Sequence, residues 1–145
     1  MNLCNKFLIG SIFVGQITYL IFGMVYLVDY FNISYECKES YIWEYVMVSL
    51  FITAVGVISR CIYRKSNIEE YLYLLAGLSL IDFIIALWGG IELMNISCVK
   101  ITNTPLWTFA LVTFFIQIIS STLLFLANCL YTLYELYYHT DYTEI

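Results

Sequence analysis

The sequence predicts an all-α, polytopic membrane protein folded as an antiparallel four-helix bundle, and three observations carry that prediction. Four apolar stretches, 7–28, 42–63, 71–94 and 106–131, each hold at least 22 residues, enough at about 1.5 Å per residue to cross a hydrocarbon core of about 30 Å. Of the 145 residues, 62% are apolar and only 12% are charged, about half the charged share of a soluble domain. The linker between the second and third stretches is so short that these spans must run antiparallel as neighbours. Residues 1–138 therefore read as one four-span membrane domain, with 139–145 as a short cytosolic tail.

Span one carries Ser11, Gly15, Thr18 and Phe22 at spacings of four, three and four. That is one helical face, and its small residues let a neighbouring helix approach closely. Gln16 lies about 100° round from Gly15 and flanks this face. Lys6 ahead of the apolar run is the order found in signal peptides, but the run is longer than their apolar regions and no A-x-A-like cleavage site follows. It is read as a span. The first outer loop, 29–41, is acidic, with Asp29, Glu36 and Glu39 against Lys38.

Span two repeats the device with Ser49, Thr53, Gly56 and Arg60. Arg60 falls near the membrane surface, within reach of water and of Glu69 and Glu70. Span three sets Ala76, Ser79, Asp82, Ala86 and Gly90 within an arc of about 120°, so its one central carboxylate belongs to a packing face. Span four opens on Thr104 as N-cap and Pro105 as first helical residue. Ala110, Thr113, Gln117, Ser120, Ser121 and Asn128 then share a face. All four stripes are expected to turn inward. Tyr131 and Tyr134 suit an interfacial aromatic belt.

Orientation follows from three signals. Lys6, Arg60, Arg64 and Lys65 gather at the N-terminus and in the middle loop, against Lys38 and Lys100 in the outer loops, which puts both termini in the cytosol. Cys37 and Cys98 lie one in each outer loop and are expected to pair as a disulfide in an oxidising compartment. Cys4, Cys61 and Cys129 fall at the cytosolic boundary, where burial as small apolar residues competes with acylation. Two N-x-S sequons, at Asn32 and Asn95, also sit in the outer loops as glycosylation candidates. The compartment implied is the plasma membrane or an endomembrane of a eukaryotic cell.

Gln16, Thr53, Asp82 and Gln117 all fall ten to twelve residues inside their spans, at one midplane level. A carboxylate there costs at least roughly 2.5 kcal/mol to insert, so it must be hydrogen-bonded, neutralised or functional. Two readings compete. Either the layer binds a cation or relays a proton, or a protonated Asp82 and the Gln amides fix helix positions through bonds of about 0.6–2 kcal/mol each. One acid with no histidine or cation beside it favours the second reading. The chain's end, Tyr142, Thr143, Glu144 and Ile145, combines a tyrosine-based sorting pattern with a Thr-x-Ile ligand for a PDZ domain. His139 is the sole histidine, and no carboxylate pair, metal-ligand cluster, phosphate loop or activated nucleophile can be assembled. No enzyme activity, cofactor, metal or nucleic-acid partner is expected.

The run 23–29, Gly-Met-Val-Tyr-Leu-Val-Asp, ahead of Cys37, and Trp88 followed by Cys98 and by Leu106-Trp107-Thr108-Phe109-Ala110, resemble the small four-span animal proteins of the transmembrane protein 272-like family. The resemblance implies a four-helix topology with outer-loop cysteines and carries no activity with it. The role expected is an organising, trafficking or accessory subunit that meets the bilayer, other membrane proteins or copies of itself, with a sorting adaptor or PDZ domain at the tail. An oligomeric channel or transporter subunit built on the Asp82 layer is the alternative.

Overall fold

A computed structural model describes residues 3–37, 39–63, 68–95 and 98–141. They form helices α1 (Leu3–Asp29), α2 (Phe31–Glu36), α3 (Ile42–Tyr63), α4 (Ile68–Met94), α5 (Val99–Thr102) and α6 (Pro105–Asp141). The four long helices are apolar enough to cross a membrane, over Gly10–Asp29, Ile42–Ser59, Tyr73–Met94 and Pro105–Tyr134. They pack as the expected antiparallel bundle, with α4 and α6 sharing the most extensive interface and α3 touching all three of the others. Among the described residues α1 and α4 share no contact, so these two lie on the diagonal.

The chain's single proline, Pro105, sits at the first turn of α6, where a missing N–H costs nothing. Thr104 caps this helix as expected, its hydroxyl accepting from Trp107 N at 3.4 Å and donating to Ile101 O at 2.6 Å. α3 keeps the expected bounds. α6 does not stop near 131 but runs to Asp141, because the Tyr- and Leu-rich sequence there holds no Gly or Pro to end it. Its 37 residues measure about 55 Å, well beyond the bilayer core. The loops between α1 and α3 and between α4 and α6 each fold a short helix, α2 or α5.

Ties concentrate at the end of the bundle that carries α2 and α5. Cys37 and Cys98 form a disulfide, with Cα atoms 5.9 Å apart, joining the α2 loop to the start of α5. Trp43 Nε1 donates to Leu27 O at 2.8 Å, fastening the start of α3 to the end of α1. Buried Glu92, near the end of α4, accepts from Tyr41 N at 3.2 Å, placing a carboxylate at the electropositive N-terminus of α3. Lys100 and Glu36 pair at 3.1 Å on the exposed surface.

The inward stripes hold over most of α4 and α6, where Ser79, Ala86, Gly90, Ala110, Thr113, Gln117 and Ser121 are buried, but on α3 only at Ser49, since Thr53 and Gly56 are half-buried and the side chain of Arg60 lies outside the described residues. On α1 they do not. Ser11, Gly15, Thr18 and Phe22 are exposed, and α1 instead turns Tyr19, Gly23, Tyr26 and Leu27 toward the bundle. The aromatic face wins because it fills more space: Tyr19 stacks on Phe109 at 5.1 Å and Tyr26 meets the same ring edge-on at 5.4 Å. On α1 close approach is confined to Gly23, where an added Cβ would stand 2.5 Å from Leu50 Cδ2.

Candidate functional site

The polar groups of the interior converge on Gln117, buried in the first half of α6. Its Nε2 donates to Asp82 Oδ1 on α4 at 2.9 Å. Its Oε1 accepts from the Tyr45 hydroxyl at 2.7 Å and stands 3.5 Å from Ser49 Oγ, both on α3. One amide thus bridges three helices. A second contact lies one turn nearer the loops, where the Tyr19 hydroxyl of α1 meets Thr113 Oγ1 of α6 at 3.2 Å. Ser121 donates to the Gln117 carbonyl at 2.6 Å, satisfying its hydroxyl within its own helix.

The helix backbones explain this convergence. Tyr45 reaches Gln117 because Gly89 offers no side chain to block its ring, which also stands edge-on to Trp88 at 6.2 Å. Gly90 likewise leaves room for Phe114 of α6. Two adjacent glycines on α4 therefore admit one aromatic ring from each neighbouring helix.

Of the four midplane residues expected from the sequence, Asp82 and Gln117 are brought into direct contact. Thr53 stands apart, its hydroxyl donating to Ser49 O of its own helix at 2.9 Å. Gln16 is half-buried on α1. Tyr45, Tyr19 and Glu92 were not foreseen. Tyrosines are so frequent here, 14 in all, that two with interior hydroxyls could not be told from those of the aromatic belt. Glu92 did carry a signal, as an acid in the last turns of an apolar span.

Asn32 is exposed on α2, and Asn95 is exposed just beyond α4. Ser97 of the second sequon, the tail residues Tyr142, Thr143 and Ile145, and the side chains of Cys4, Arg60, Glu69 and Glu70 lie outside the described residues. Cys61 and Cys129 are exposed free thiols rather than buried ones. Among the described residues, no group of three His, Cys, Asp or Glu could hold a metal ion. A shallow groove of about 530 Å³ opens between Tyr26 of α1 and Thr104, Thr108 and Phe109 at the start of α6.

Comparison with family models, with curated proteins and with solved structures finds no match.

Proposed function

We propose that this multi-pass membrane protein is a non-enzymatic organising, trafficking or accessory subunit that associates with other membrane proteins, or with copies of itself, through α1. The observation that carries the reading is the outward face of that helix. Gly10, Ser11, Gly15 and Thr18 are exposed, and a Cβ added at Gly10 or Gly15 would touch nothing within 4 Å. Small residues lining a lipid-facing helix suit close helix–helix contact. Only 11% of the α1 span is buried, against 28% for α3, so α1 is the helix with most surface to offer. The native mass of the solubilised protein tests this. Gly15→Leu should reduce any larger assembly to the 16.9 kDa chain with its detergent, while the disulfide still forms. An assembly unchanged by this substitution rejects the α1 face.

In this reading both termini are cytosolic, supported by the Lys and Arg distribution and by the disulfide between the two outer loops. The membrane is then a plasma membrane or endomembrane of a eukaryotic cell. α6 runs to Asp141, longer than a span needs, and Tyr142, Thr143 and Ile145 of the sequence that follows suit a sorting adaptor or PDZ domain. The likeness to the transmembrane protein 272-like family fits such a topology. A channel or transporter role is the second reading, favoured by the half-buried position of Asp82. Its test is cation or proton flux in proteoliposomes that disappears in Asp82→Asn.

A further inference from the structure

α6 outruns its neighbours. The bond between Gln117 and Asp82 sets a common level for α6 and α4, from which both helices advance about 1.5 Å per residue. Tyr73, where the apolar span of α4 begins, lies nine residues from Asp82, and Leu126 lies as many from Gln117. The apolar span of α6 nevertheless continues to Tyr134, about 12 Å further. By the same count the start of α4 at Ile68 is level with Tyr131, and so is the end of α3 at Tyr63, counted from Ser49. From there α6 runs on to Asp141 with no other described helix beside it.

One apolar row follows α6 through this change of surroundings. Ile119, Leu123, Leu126, Leu130 and Leu133 recur at spacings of four, three, four and three, and each is between 52% and 67% exposed. That is the repeat with which two helices coil left-handedly about each other. Asn128 and Thr132 take the opposite side of α6, where their side chains bond carbonyls of their own helix at 2.9 and 3.0 Å. The first three members of the row lie within the depth of the α4 span, where lipid tails cover an apolar surface. Leu130 and Leu133 lie beyond it, where only protein can keep the same row from water.

We infer that α6 pairs in parallel with α6 of a second copy of this chain through this row. Copies inserted with one topology point α6 the same way, so each residue of the row meets its own counterpart. From Pro105 to Tyr134 the sequence holds no charged residue. No like charges then face each other across the pair, and the flanking charges by which coiled coils select unlike partners are absent from this stretch. The contact is separate from α1 and does not rest on the accessory role.

The test is cysteine cross-linking of the full chain in membranes, where confinement keeps copies concentrated before any detergent is added. Cys4, Cys61 and Cys129 are replaced by Ser. Leu126→Cys, Leu130→Cys and Leu133→Cys, introduced singly, should each give a disulfide-linked dimer on non-reducing gels after mild oxidation. Asn128→Cys and Thr132→Cys should stay monomeric. Leu130→Glu sets like charges against each other in the row and should abolish the dimers at 126 and 133, while the gel shift of the Cys37–Cys98 bond verifies that the chain has folded. Gly15→Leu should leave every cross-link in place, which separates this contact from one made by α1. Absence of dimer at 126, 130 and 133, equal yields at all five positions, or cross-links that survive Leu130→Glu would overturn the proposal.

Discussion

The ring of Tyr45 occupies the space that any side chain at Gly89 would need. The two residues face each other across α3 and α4, and the hydroxyl of that ring reaches on to Gln117 at 2.7 Å. Gly89→Ala must therefore push the ring aside and stretch this hydrogen bond. Overpacking of this kind costs about 1–3 kcal/mol. Thermal unfolding in detergent should show Gly89→Ala clearly below wild type, and the same substitution should cost less in a Tyr45→Ala background, where the ring is already gone. Equal stability of Gly89→Ala and wild type would show that the ring moves freely.

Asp82 and Gln117 should respond unequally to substitution. Asp82→Asn keeps an acceptor oxygen for Gln117 Nε2, so unfolding free energy should change by less than about 1 kcal/mol. Gln117→Leu leaves the carboxylate without its donor and Tyr45 without its acceptor, a loss of about 1–3 kcal/mol. Chemical unfolding in mixed micelles compares the two. A larger loss for Asp82→Asn than for Gln117→Leu would mean that the charge, rather than the amide, organises the three helices.

How much of this was legible in the sequence differs from part to part. Length and apolarity located four spans, and the boundaries of α3 came out unchanged because polar residues bracket it. Asp82 and Gln117 could be paired by depth, since counting from each membrane boundary needs no side-chain detail. Thr53 has the same depth and yet bonds only to Ser49 O of its own helix, because depth says nothing of rotation about the helix axis. The rotation of α1 was misread for a related reason. Small residues mark faces that permit approach, whereas the face that wins is the one burying more surface, here Tyr19 and Tyr26 against Phe109.

Breaking the Cys37–Cys98 bond should matter more than breaking any other tie at the outer end. Cys37→Ser should abolish the mobility difference between reduced and oxidised protein on gels. It should also lower stability by about 2–4 kcal/mol, since the bond closes a long loop. A variant with unchanged unfolding would place the strength of this end in Trp43 and Glu92 instead.

The Lys100–Glu36 pair makes the opposite case. Its side chains are 73% and 63% exposed, so water and salt screen the attraction. Lys100→Ala should move the melting temperature by no more than the scatter of the measurement, at low salt as at high. A clear drop would mean that α2 and α5 depend on this pair as well as on the disulfide.

The disulfide also records the order in which the protein is made. Cys37 leaves the ribosome before spans two and three exist, and its partner follows 61 residues later. The two thiols meet only after the second span has been threaded one way and the third back the other, so that both outer loops emerge on the same side. An oxidised pair is thus a stamp that spans two and three have been inserted together. A chain stalled with either of those two left behind would keep two thiols open to labelling, and a thiol-trapping reagent could distinguish it from one that has passed this step without unfolding either.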